Sequence, residues 1–396
     1  VSKAGDRAEG TTQVHAGRDP AGHSGAVSIP PYRASTILFP DLDSLEARDP
    51  DYEAVRYGRT GTPTSHAFEE AMAELEGGYR AVSFGSGLQA ITTALLAVLR
   101  SGDHLLMADT TYGPTRAFCQ GILARMGVET SFYDPLLGAA DLEALFRPNT
   151  RALFLESPGS LTFEVQDVPA LAAAAKTRGC TVLMDNTWAA GVYFKPLAHG
   201  VDISLQACTK YVAGHADANL GTAICTRDAW RAVKQAAVDL GATASADDLF
   251  LGLRGLRTLS LRLARHQEAG LLLADWLAGQ SEVRRVLHPA RPDCPGHQIW
   301  KRDFTGASGL FTVELAPLPR PALKALVEGL RFFGMGYSWG GFESLVLPTN
   351  PRRIRTARPW AGDGTLVRFH AGLEEPADLT RDLEAGFARL REALKT

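Results

Sequence analysis

The chain has 396 residues, with 41 Lys and Arg against 44 Asp and Glu, a formal charge of −3, and 45% hydrophobic residues. That length suggests two to three domains, and the near-neutral charge excludes an electrostatic grip on nucleic acid or anionic lipid as the main activity. No run reaches the roughly 18 apolar residues of a membrane helix, residues 1–25 carry no signal-peptide core, and the odd number of widely spaced cysteines (Cys119, Cys180, Cys208, Cys225 and Cys294) points to free thiols in a reducing, cytoplasmic setting.

Residues 1–60 are rich in Gly, Pro, Asp and Arg and show no sustained period, so they read as an arm that packs on something else. Order begins at residue 64, where Thr64 or Ser65 can cap a helix carrying Phe68, Met72 and Leu75 on one face and ending at Gly77-Gly78. An alternating rhythm follows. Strands are expected at 81–84, 104–107, 130–133, 152–155, 181–184 and 203–206, with helices at 88–99, 115–126, 140–146 and 168–177 between them. Short strands apolar on both faces and separated by helices predict a buried, mainly parallel, doubly wound α/β sheet.

After residue 255 the pattern changes. A long helix over 260–277, a strand over 309–315, a helix over 320–331, a strand over 366–370 and a closing helix with Leu379, Leu383, Phe387, Leu390 and Leu394 predict a smaller α+β unit. The division expected is an arm over 1–60, a large domain over 61–255 and a small domain over 256–396. The cluster Arg352, Arg353, Arg355 and Arg358 reads as a solvated loop or an oligomer contact. Cys294 and His297 lie three apart but lack a second ligand pair, so no metal site is expected.

Ligands in open parallel sheets sit at the carboxyl ends of strands. Gly85-Ser86-Gly87-Leu88-Gln89-Ala90 follows a strand and opens a helix, which offers exposed N–H groups to a phosphate. It also fits the dinucleotide fingerprint, with Asp109 at the spacing of the ribose-binding acid. Asp185 follows the apolar run Val182-Leu183-Met184, and Lys210 lies just past another strand in a stretch with few charges. A desolvated lysine gives up its proton readily and becomes a nucleophile toward aldehydes. Phosphate seat, carboxylate and lysine together are what pyridoxal phosphate requires.

These segments resemble the Cys/Met-metabolism, or transsulfuration, family of fold-type-I pyridoxal-phosphate enzymes, over nearly the whole chain. The resemblance implies the aspartate-aminotransferase-like fold, a Schiff base between the cofactor and Lys210, Asp185 at the pyridine nitrogen, and Tyr112 stacked on the ring. It implies further cofactor contacts from Ser86, Gly87, Leu88, Thr187 and Thr209. Residues 57–64, YGRTGTPT, are similar to a family motif whose Tyr57 and Arg59 reach the phosphate of a neighbouring subunit, which implies a homo-oligomer, at least a dimer and expected as a tetramer. Ser338, Trp339 and Arg368 are implied to hold the substrate carboxylate, with Arg368 as the bidentate reader.

Within the family, ESPGS at 156–160, Trp188, Ala207 and Trp339 resemble the bacterial β-lyases of cystathionine more than the γ-acting relatives. The implied activity is β-elimination on cystathionine or a related cysteine S-conjugate, giving a thiol, pyruvate and ammonia, with Lys210 as the base, in methionine biosynthesis. Val238 stands where those lyases carry a tyrosine, a departure that bears on substrate fit. A γ-acting lyase or synthase is the first rival, a nicotinamide oxidoreductase the second, and a silent scaffold the third.

Overall fold

The computed structural model describes residues 7–47 and 54–395; residues 1–6 and 48–53 of the expected arm lie outside the described residues. The helix expected from residue 64 spans Pro63–Glu76. Thr62 and Ser65 cap it reciprocally, Pro63 occupies its first position, and Gly77 closes it at φ 70°.

Seven strands then build one sheet: β1 Arg80–Phe84, β2 His104–Ala108, β3 Glu129–Tyr133, β4 Thr150–Glu156, β5 Thr181–Asp185, β6 Ile203–Gln206 and β7 Gly221–Cys225. Their order is β1-β7-β6-β5-β4-β2-β3, and only β7 is antiparallel to its neighbours. The other strands therefore end on a common edge, where β7 begins. Alternation puts Leu105, Met107, Phe154 and Leu183 into one core and Leu106, Leu153, Leu155, Val182 and Met184 into the core on the opposite face. Helices cover both faces, as a doubly wound sheet requires.

Two local expectations change. The helix expected over 115–126 is an α-helix only over Gly113–Phe118 and continues as a wide π turn over Cys119–Leu123. β7 has no counterpart among the expected strands. It is admitted by close backbone contact: a Cβ on Gly221 would lie 2.3 Å from the Ser86 carbonyl oxygen.

The second sheet contains β8 Val283–Leu287, β9 Leu310–Leu315, β10 Phe333–Met335, β11 Ser344–Thr349 and β12 Thr365–His370, ordered β10-β11-β12-β9-β8. Helices Leu259–Ala278, Arg320–Val327 and Pro376–Ala393 bury Leu273, Leu326, Leu383 and Phe387 with Phe311, Val313, Val367 and Phe369. β8, β10 and β11 are not evident in the sequence. β11 carries Pro348, which pairs with Val367 of β12 beyond the short reach of β10, an edge-like stretch where proline is tolerated. Among the described residues no helix is long and apolar enough to cross a membrane.

The two sheets meet at a buried ion cluster. Arg355, expected on a solvated loop or at an oligomer contact, is only 6% exposed within the chain. Its guanidinium donates to Asp109 (3.3 Å), Thr162 (3.1 Å) and Glu164 (2.8 Å). Paired carboxylates at both ends of its fork explain how this arginine tolerates burial.

Candidate active site

The common strand edge surrounds a cavity of about 520 Å³ whose walls include Ser86, Leu88, Tyr112, Glu156, Asp185, Thr209, Lys210 and Arg368. Gly87, Thr187 and Trp339 also line it. Each side chain arrives for a local reason. Ser86 caps the helix Gly87–Val98 by accepting the Gln89 N–H at 3.1 Å. The first-turn N–H groups of Gly87 and Leu88 lie beyond the reach of intrahelical acceptors. Residue 87 must be glycine, because a Cβ would stand 2.4 Å from the Ala207 Cβ on the lysine loop.

Asp185 ends β5. Its Oδ1 accepts from the Thr187 N–H (3.0 Å) and hydroxyl (2.6 Å), and its Oδ2 accepts nothing among the described residues. Thr187 in turn accepts the Ala207 N–H at 2.9 Å, tying the lysine loop to the carboxylate. Burial raises the Asp185 pKa, opposed by the Thr187 hydrogen bonds and Lys210.

Lys210 donates to the Ser338 hydroxyl at 2.5 Å, and its Nζ lies 5.4 Å from the Trp339 ring centre. Burial lowers its pKa to about 8, with the Arg368 charge adding to the shift and Asp185 opposing it. Arg368, on β12, donates to the Ser338 carbonyl at 3.0 Å. Its own pKa falls to about 10 through burial, far enough above neutrality to keep the guanidinium charged.

Thr209 reaches the cavity, but its hydroxyl proton goes to the Leu220 carbonyl at 3.1 Å and the oxygen accepts the Leu220 N–H at 2.8 Å. A single lone pair is left to face a ligand unless the rotamer changes.

Tyr57 and Arg59 do not line the Lys210 cavity. They border a separate cavity with Tyr32, Lys234 and Val238. Arg59 donates to the Val238 carbonyl at 2.8 Å. Within one chain the arm residues and the lysine belong to different sites.

Two acidic residues change role. Asp109, considered above as a ribose-binding acid, is fully buried and accepts from Arg116 (2.8 Å), Arg355 and the N–H groups of Thr356, Ala357 and Arg358. It has no capacity left for a ribose. Glu156, noted only as part of a motif, lies beside Asp185 across β4 and β5. It accepts the Tyr112 N–H at 2.7 Å and the Ser160 hydroxyl at 2.6 Å. Its position after the apolar run 152–155 is the same signal that exposed Asp185. Burial, then the Asp185 charge, pushes its pKa up to about 8.

Cys294 and His297 bond to different backbone carbonyls, those of Phe163 and Pro289, and no three potential ligands cluster among the described residues. All five cysteines are buried free thiols.

An amine of lowered proton affinity, a carboxylate with one unengaged oxygen and a helix start with open N–H groups form a donor set that fits pyridoxal phosphate. Fold and donor set together define a pyridoxal-phosphate enzyme of fold type I. The chain belongs to the Cys/Met-metabolism family of PLP-dependent enzymes, whose model matches residues 10–388. It is 46% identical to the cystathionine beta-lyase MetC of Escherichia coli K12, over 97% of this chain and 99% of the relative. It is 44% identical to the cystathionine beta-lyase of Salmonella typhimurium, over 97% and 99%. A cystathionine gamma synthase from Xanthomonas oryzae pv. oryzae, solved in complex with cystathionine, superposes with a TM-score of 0.88 at 32% identity, covering 98% of this chain and 99% of that one.

Proposed function

We propose that this protein is a carbon–sulfur β-lyase acting on cystathionine or a related cysteine S-conjugate, releasing a thiol, pyruvate and ammonia. The observation that carries the reading is that Lys210, a carboxylate-reading arginine, Arg368, and the carboxylate of Asp185 line one cavity, with the charges of Arg368 and Asp185 both acting on the lysine amine. Support comes from the bacterial relatives named cystathionine beta-lyase.

Pyridoxal phosphate, when bound, supplies an electron-accepting ring that makes the substrate Cα–H acidic. Lys210 is the residue that would carry it and Asp185 Oδ2 the group for its ring nitrogen. Ser86, Gly87, Leu88 and Thr209 suit its phosphate, and Thr187 fixes Asp185. Tyr112 provides a ring face, and its backbone N–H is held by Glu156. Arg368, with Ser338 and Trp339, holds the substrate carboxylate and so orients the α-proton. Lys210 Nζ, half neutral near pH 8 on its own, takes that proton and returns it to the departing thiolate sulfur, as general base and then acid.

Tyr57 and Arg59 serve the phosphate of a second copy, in keeping with their place in a separate cavity. This makes the working unit at least a dimer, and a tetramer pairs two such dimers. The arm, large domain and small domain divide at about residues 60 and 255, and the enzyme works in the cytoplasm. Product analysis tests the reading: pyruvate and homocysteine from cystathionine support it, whereas 2-oxobutyrate selects a γ-lyase and no keto acid overturns both.

A further inference from the structure

We infer that His370 is a positioning residue of the Lys210 site, its neutral imidazole holding the 338–341 loop against Lys210 through the Gly340 N–H. The inference rests on the β-lyase reading only for its activity assay. Arg368 and His370 are two residues apart on β12 and therefore project to the same face. Both bond to one loop: Arg368 donates to the Ser338 carbonyl at 3.0 Å, and His370 Nε2 accepts the Gly340 N–H at 3.0 Å. Between these two attachments Ser338 offers its hydroxyl to Lys210.

The loop needs both attachments. Ser338 has φ 83° and Gly340 φ 84°, and a left-handed serine is strained unless its surroundings fix it. The loop also lies directly on the lysine: a Cβ on Gly340 would stand 3.0 Å from the Lys210 carbonyl carbon and Cβ. A displacement of Gly340 is therefore transmitted to Lys210 itself as well as to its hydroxyl partner.

The chemistry defines the histidine's form. Accepting the Gly340 N–H uses the Nε2 lone pair and puts the proton on Nδ1, which is buried with no hydrogen-bond partner among the described residues; the Gly341 carbonyl, 3.3 Å from Nε2, is the acceptor in the opposite tautomer. A doubly protonated ring could not accept. Burial of the ring at 1% exposure and the neighbouring His266, Arg368 and Lys210 oppose protonation, and the Gly341 carbonyl favours it. His266, whose ring centre is 5.1 Å away, bonds through Nδ1 to the Ala371 carbonyl at 2.8 Å, which fixes the wall behind His370.

The test uses the cofactor-loaded enzyme and three variants. His370→Leu removes the acceptor. His370→Gln places an amide oxygen at the reach of Nε2, whereas His370→Asn places it near Nδ1, too short for Gly340. The expected result is a loss of roughly tenfold or more in kcat/KM for pyruvate release in the Leu and Asn variants, a weakened visible circular-dichroism band of the bound cofactor in the same two, and recovery of both in the Gln variant. The inference is overturned if the Leu variant keeps both signals, or if all three variants lose them in step with their melting temperatures. Should the wild type itself release no pyruvate, the β-lyase reading fails, while the dichroism comparison still decides the role of His370.

Discussion

Asp109 and Asp185 stand at the carboxyl ends of β2 and β5 in the same sheet, each directly after or at the close of an apolar strand, and the fold treats them in opposite ways. Asp109 receives two arginines and three consecutive backbone N–H groups, so both its oxygens are saturated. Asp185 receives one threonine, and only on Oδ1. The first carboxylate holds two sheets together. The second retains binding capacity and faces a cavity. Position at a strand end marks where a ligand can sit, but unfilled hydrogen-bonding capacity marks which residue receives it.

The largest effect is expected at the reacting end of this comparison. Lys210→Ala should lower pyruvate release by roughly 10²–10⁴-fold without lowering the urea midpoint; a coupled keto-acid assay reads it, and a variant retaining full turnover means the proton acceptor lies elsewhere. Next comes the structural end. Asp109→Ala strands Arg116 and Arg355 in the interior and should cost about 3–5 kcal/mol in urea unfolding, while the folded fraction still takes up cofactor. Asp185→Ala should do the reverse, losing cofactor retention on dialysis with little change in stability. Equal stability losses in the two variants would break the comparison.

A smaller effect is expected at Arg368. Arg368→Lys keeps the charge but loses the planar fork, and KM should rise by roughly tenfold with a lesser change in kcat. A further effect, read as a pH dependence, concerns Glu156, whose folded pKa burial and the Asp185 charge raise above its ordinary 4.5, to about 8. A raised folded pKa contributes stability that is complete below 4.5 and is lost as pH rises through 8. The unfolding free energy of the cofactor-free wild type should therefore fall across that window more steeply than that of Glu156→Gln. Parallel curves for the two proteins would mean that Glu156 is ionised in the fold across this window.

The local content of the sequence was sufficient for much of this. Alternating short apolar runs and amphipathic helices determined the doubly wound sheet, because burial on both faces leaves a pattern within each strand. Lys210, Asp185 and the 85–90 turn were legible because strand ends and helix starts are themselves local features, and Arg368 and Tyr112 came with the family resemblance. Tertiary structure decided what depends on distant partners. Asp109 is saturated by Arg355, 246 residues away, so no local pattern separates it from Asp185. Arg355 is buried for the same reason, despite its arginine-rich surroundings. The cavity that receives Tyr57 and Arg59, and the hold of His370 on Gly340, exist only once the arm, the large sheet and β12 have come together, because hydrogen-bond saturation is a property of the assembled chain and not of its segments.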